Sequence, residues 1–123
     1  LLKRAAGLAL KAGRGSGAAE ISFVMVPDAA IRKLNKRYRG VDRVTDVISF
    51  RLSEKPLRGD IYIARGRSKK QAGENGNGWV PELCYLVLHG VLHLLNYTDY
   101  KPAERKKMFS VQDRLFKCLF KAD

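Results

Sequence analysis

Apolar positions along this chain fall into blocks of helix-like and strand-like spacing, separated by Gly, Pro and charge clusters. Residues 1–12 carry Leu1, Leu2, Ala5, Leu8 and Leu10 among basic groups, which predicts a first helix lying on a core. GRGSGAA follows and reads as a flexible turn; its alternating glycines imitate a phosphate-cradling loop only superficially, because such a loop follows a strand and opens a helix. ISFVMV, residues 21–26, is a run of β-formers that predicts a buried strand ended by Pro27. Asp28 is placed to cap a helix from Ala29 to about Tyr38, with Ile31, Leu34 and Tyr38 on its buried stripe and Gly40 as its stop. VTDVISF (44–50) and GDIYIA (59–64) predict two further strands, joined as a hairpin by the polar segment RLSEKPLR. A helix over 65–73 and the loop ENGNG come next, and then Pro81 in the first turn of an apolar helix. Pro102 opens a last amphipathic helix whose apolar face is Met108, Val111, Leu115, Phe116 and Leu119.

This order predicts an α+β domain over residues 1–123, a small mixed β-sheet packed with helices around the most apolar helix. At 123 residues and 46% hydrophobic composition, one domain has an adequate core and no second is needed. Charge changes the picture more than size does. Twenty-four Lys and Arg against twelve Asp and Glu leave a net charge of +12, which favours a polyanionic partner, nucleic acid first. A membrane surface fits less well, since the basic residues are scattered and no apolar run approaches a membrane span. The opening LLKRAAGLALKAG is too short and too charged for a secretory signal. The chain opens on Leu1, so a native start and a targeting segment upstream of it stay open. Cys84 and Cys118 form no CxxC pair and read as core residues of a reducing compartment.

The densest chemistry lies in HGVLHLLNYTD, residues 89–99, where His89 and His93, the chain's two histidines, stand four positions apart in an apolar run. On a helix that spacing stacks both imidazoles on one face, one turn apart, where they can converge on one cation. Asn96 falls where such a helix would end, and Asn is second to Gly for the left-handed residue that turns a chain back. Asp99 can then return a carboxylate to the same point. The set offers three ligands and leaves a fourth position for water or substrate, the layout of a catalytic site. Histidines at this spacing are also common as core residues; the acid at a chain-reversing distance favours the metal. Gly90 stands where a metalloprotease carries its glutamate base, which argues against a peptidase.

Three segments extend the reading. LNKRYRGVDRVTDVISF (34–50) is similar to the pattern Leu-Asn-x-x-Tyr-Arg-x-x-Asp-x-Pro-Thr-Asp-Val-Leu-Ser-Phe, and GDIYIA to a Gly-Asp-Ile strand. HGVLHLLNYTD is similar to His-Gly-x-Leu-His-Leu-Leu-Gly-Tyr-x-His, followed by a helix with the Glu104 and Met108 spacing. These are motifs of the YbeY family of bacterial-type rRNA maturation factors, which the chain resembles over residues 20–120 in order and in gaps. The resemblance implies a metal-dependent, single-strand-specific endoribonuclease that matures the 3′ end of small-subunit rRNA and serves ribosome quality control. It implies RNA, the small ribosomal subunit and its proteins as partners, and no membrane. The implied compartment is the cytoplasm, or an organellar matrix if a targeting segment has been removed.

The resemblance also implies one divalent metal ion, zinc first, held by His89, His93 and, in place of the family's third histidine, Asp99, with Tyr100 beside it. Aspartate is a competent zinc ligand, but its charge makes the ion a weaker Lewis acid and favours a shift towards a harder ion such as manganese. Val44 for Pro and Asn96 for Gly are milder departures. The replaced histidine motivates an alternative: a ribosome-assembly or RNA-binding factor of the same fold with weak or no catalysis. A metal hydrolase of another substrate, such as a peptide, is a third reading that Gly90 weighs against.

Arg39 matches the functionally important arginine of the family's Tyr-Arg-Gly, and a guanidinium suits bidentate phosphate contact and transition-state charge. Asp46 and Asp60 flank apolar strands, where a carboxylate can orient a ligand, act as base or cap a turn; Ser49, between Ile48 and Phe50, reads as structural. Glu82, seven residues before His89, reads as a ligand-orienting acid or a first-turn acid favoured by the helix dipole. Basic residues around Arg32, Lys33, Lys36, Arg37 and Arg43, and around Lys101, Arg105, Lys106 and Lys107, are candidate phosphate contacts, with solvated helix faces as the plainer reading.

Overall fold

The computed structural model describes residues 1–14 and 19–120. Five helices and three strands run in the order α1 (Leu2–Arg14), β1 (Ala19–Val26), α2 (Asp28–Arg39), β2 (Val47–Glu54), β3 (Leu57–Ala64), α3 (Arg65–Glu74), α4 (Trp79–Leu94) and α5 (Pro102–Leu119). The middle of the expected turn after α1, residues 15–18, lies outside the described residues. The strands form one mixed sheet in the order β1-β3-β2, with β1 parallel and β2 antiparallel to β3. The hairpin forms as expected but is tighter, since only Lys55 and Pro56 separate the strands and most of the polar segment pairs, with a register shift between Arg51 and Ser53.

Alternation along the central strand divides the core. Ile61 and Ile63 point to the face covered by α4, where Val87, Val91, Leu92, Met108 and Leu115 complete the larger cluster with Ala5 and Ala9 of α1. Tyr62 and Ala64 point the other way, onto Ile31 and Leu34 of α2. The α4 helix touches α1, α3, α5, β2 and β3, so the histidine helix is the central element, as its apolar composition demands.

Close approach of α4 to the sheet depends on Gly90. A Cβ built there would lie 2.9 Å from Ser49 Oγ and 3.0 Å from two carbons of the fully buried Ile61. Ser49 uses the proximity to donate a hydrogen bond to the Gly90 carbonyl at 3.0 Å. A Gly90→Ala variant should therefore gain helix propensity of just under 1 kcal/mol yet lose more to overpacking, for a net destabilisation of about 1–2 kcal/mol. Denaturant unfolding reads this directly, and an unchanged or raised midpoint would refute the packing account.

Several expectations are corrected. The β1 strand is an edge strand, half-buried along Phe23–Val26 and exposed at Ala19 and Glu20, not a buried one, because it pairs on one side only. Tyr38 is 57% exposed: the buried positions of α2 are Ile31 and Asn35, and a turn later Tyr38 lies edge-to-face on Phe50 at 5.1 Å between centroids, outside the core. Asp28 does not cap its own helix, whose N-cap is Pro27; its carboxylate accepts instead from the Arg67 backbone N–H at 3.0 Å, capping α3 across the fold. Cys84 is buried, and burial pushes its thiol pKa up, but Cys118 is exposed and contributes no core packing; neither is in a disulfide. Gly40 ends α2 as expected, in the left-handed conformation at φ 70°.

Candidate metal centre

Local backbone geometry at the end of α4 builds the site. Asn96 takes φ 73°, the left-handed conformation expected of it, and its side-chain oxygen accepts a 2.8 Å hydrogen bond from Arg51 Nη1 of β2. The chain reverses there: the Tyr97 N–H returns to the Leu92 carbonyl at 3.0 Å, and the Tyr97 carbonyl comes to 3.0 Å from His93 Nδ1. Two residues on, Asp99 Oδ2 stands 3.7 Å from His89 Nε2 and 3.9 Å from His93 Nε2, while the two Nε2 atoms are 3.0 Å apart.

Proton placement makes this cluster unusual. A carbonyl oxygen only accepts, so the contact with Tyr97 O puts the His93 proton on Nδ1. On the other ring, Gln112, fully buried on α5, donates through Nε2 to the Tyr85 carbonyl at 3.1 Å, which fixes its amide and turns Oε1 to His89 Nδ1 at 3.0 Å. His89 therefore also carries its proton on Nδ1. Both Nε2 atoms then present lone pairs to each other, with a carboxylate oxygen as third acceptor, and no donor lies among them. Burial, the neighbouring His89 and the Arg39 charge hold the His93 pKa below its ordinary value against the pull of Asp99 and the Tyr97 carbonyl, so the ring is neutral at pH 7. Three converging acceptors ask for a cation. Their separations of 3.0, 3.7 and 3.9 Å bracket the roughly 3.3 Å between ligands of a tetrahedral ion with bonds of about 2.0–2.1 Å. His89, His93 and Asp99 thus form a cluster able to hold a metal ion.

The cluster opens into a groove of about 650 Å³, walled by Tyr38 and Arg39 from the end of α2, residues 45–50 leading into β2, and the 96–100 loop. Arg39 is brought to the site as expected. Asp46 is also on the wall, but both its oxygens are engaged, Oδ1 by the Val47 N–H at 2.8 Å and Oδ2 by Gln71 Nε2 at 3.1 Å; the arrangement fits a wall-bracing group better than a free base.

The other expected residues lie apart from the groove. Asp60 shares the α2-facing side of β3 with Tyr62 and pairs opposite Phe50, but does not itself line the groove. Glu82 is buried two turns before the histidines and accepts from Asn75 Nδ2 at 3.1 Å, so it ties α4 to the preceding loop rather than orienting a ligand. Arg37, Arg43, Lys101 and Arg105, expected as phosphate contacts, are exposed and line no part of the groove. Arg105 does stack over Phe109, whose ring lies 5.8 Å from that of His89.

Gln112 is the residue that sequence reasoning passed over. Its signal was present: it falls four positions after Met108 on the buried stripe of α5, where an apolar side chain was due. Thr98, which donates to Glu104 and ties the ligand loop to α5, carried no comparable signal.

A family model described as Endoribonuclease YbeY matches residues 1–119. The Endoribonuclease YbeY of Endomicrobium trichonymphae is 51% identical over 120 residues, covering 98% of this chain and 84% of that protein. That of Pelotomaculum thermopropionicum is 46% identical over 117 residues, covering 88% and 77%. Among solved structures, the solution structure of TM1509 from Thermotoga maritima superposes with a TM-score of 0.65 at 32% identity, over 94% of this chain and 77% of that one.

Proposed function

This chain belongs to the Endoribonuclease YbeY family, and on that footing we propose that it is a metal-dependent, single-strand-specific endoribonuclease that acts as one domain in 3′-end maturation of small-subunit rRNA and in ribosome quality control. The observation that carries the metal dependence is the meeting of two Nε2 lone pairs at 3.0 Å beside Asp99 Oδ2. Two imidazoles and a carboxylate suit zinc, with a fourth position left for water or substrate. Because Asp99 reaches both rings, the chain has a third ligand despite the replaced histidine, which favours the nuclease over the inert assembly factor.

When bound, the ion supplies electrophilic activation of a phosphoryl group and acidification of a water. The chain's own groups do the rest. Gln112 and the Tyr97 carbonyl hold the two ligand rings in the tautomer that keeps Nε2 free. Arg39, on the groove wall, binds non-bridging phosphate oxygens and stabilises the charge that builds on them. Asp46 braces the wall between β2 and α3. The net charge of +12 draws the polyanion in. Among the described residues no helix is long and apolar enough to cross a membrane.

Protein purified without added metal should carry about one zinc per chain by elemental analysis, and a chelator should abolish cleavage of a single-stranded RNA until zinc is restored. Cleavage that survives complete removal of metal would defeat the proposal. RNA binding that is salt-sensitive and chelator-resistant, with no products under any metal, would select the assembly factor instead.

A further inference from the structure

Seven large apolar side chains are exposed among the described residues, and two of them, Tyr38 and Tyr100, line the groove. Tyr38 is 57% and Tyr100 75% exposed, so neither ring is there to fill the core. Each sits one residue from a group already placed at the site: Tyr38 precedes Arg39 at the end of α2, and Tyr100 follows Asp99 in the ligand loop. They thus enter the groove from two separate wall segments, and both histidines of α4 line the same groove.

We propose that Tyr38 and Tyr100 are base-stacking platforms that grip unpaired nucleotides around the phosphate presented to the histidines, and so set the preference for single-stranded RNA. This rests on the nuclease reading above and names the residues that select its substrate. An exposed aromatic face gains from covering by another π-system, and every base offers one, so such contacts add affinity without reading sequence. Bases inside a duplex are already stacked on their neighbours; only an unpaired strand can splay a base onto a side chain. The Arg37 guanidinium already lies over the Tyr38 ring, 5.2 Å from its centroid, so the ring accepts a flat cationic group against it. Phe50, in turn, holds the Tyr38 ring edge-to-face at 5.1 Å, anchoring an exposed side chain to the sheet.

The test is fluorescence anisotropy of a labelled single-stranded RNA on the full chain, with chelator present to prevent cleavage. Tyr100→Ala and Tyr38→Ala should each raise Kd by between about fivefold and a hundredfold, the span of a base–aromatic stack, while Tyr100→Phe and Tyr38→Phe restore the wild-type value. Duplex RNA should bind wild type and the alanine variants alike. A strand carrying abasic sites should bind wild type as weakly as the intact strand binds Tyr100→Ala, and combining the two changes should add little. Unchanged affinity in both alanine variants, or equal losses on intact and abasic strands, overturns the proposal. With zinc restored, equal cleavage of single-stranded RNA by wild type and both alanine variants would leave the nuclease standing and remove the platforms. The ring-dependent binding pattern without any cleavage would do the reverse.

Discussion

His93→Ala should take the chain from about one bound ion to none and lower RNA cleavage by about a thousandfold or more. With this imidazole gone, His89 and Asp99 remain as a two-point site 3.7 Å apart, less than the three protein ligands on which catalytic zinc sites are built. The substitution should do little harm to the metal-free fold. His93 is half-buried, and its Nε2 faces two other acceptors, so its removal relieves a repulsion even as the Tyr97 carbonyl loses its donor. In the presence of chelator, denaturant unfolding of variant and wild type should agree within about 1 kcal/mol. Zinc at a thousand times its dissociation constant should then raise wild-type stability by about 4 kcal/mol through mass action and leave the variant where it was. A variant that kept both its ion and its zinc-dependent stabilisation would show that the cation sits elsewhere.

That contrast between stability and function explains which parts of the molecule were legible beforehand. His89, His93 and Asn96 declared themselves through strictly local rules: an i, i+4 pair on an apolar helix, and a residue type tolerant of φ 73° where that helix had to stop. Once the turn was granted, Asp99 followed from its distance along the chain. Elements followed from periodicity with the same success, down to the hairpin and the Pro102 start of α5. What failed were inferences about what lies opposite. Periodicity gives the face of a helix but not the point at which it runs off the sheet, so it puts Tyr38 in the core, whereas the ring is exposed. A cap rule assumes the nearest helix, whereas Asp28 serves the first turn of α3, thirty-nine positions downstream. Strand composition cannot say which strand is the edge, and β1 became one because β3 took the centre. Carboxylates illustrate the same limit: Asp46, Asp60 and Glu82 looked alike in sequence, yet only Asp46 reaches the groove. Each error concerns a partner distant in sequence, where one chain read alone carries least information.

Gln112 is the extreme case of a distant partner, and it supports the second large effect. Gln112→Leu should weaken zinc binding by about ten- to a hundredfold although no ligand is touched. In the wild type, Oε1 takes the His89 Nδ1–H at 3.0 Å, forcing the Nε2 lone pair into the site. Leucine releases the ring to the other tautomer, and Nε2–H of His89 can then donate to His93 Nε2, already 3.0 Å away. The histidine pair would satisfy itself, and a metal would have to break that bond to enter. Losing the second hydrogen bond to the Tyr85 carbonyl, which keeps its place in the α4 ladder, should cost the fold about 1 kcal/mol. Gln112→Glu separates the two effects. Its carboxylate still accepts from His89 Nδ1, so zinc affinity should stay closer to wild type, whereas stability should fall further, because the ionised carboxylate cannot donate to Tyr85 and adds the cost of a buried charge. Competition titration against a chromophoric chelator reads the affinities, and unfolding in excess chelator reads the stabilities. Wild-type zinc affinity in Gln112→Leu would mean that the His89 tautomer is set by something other than this amide.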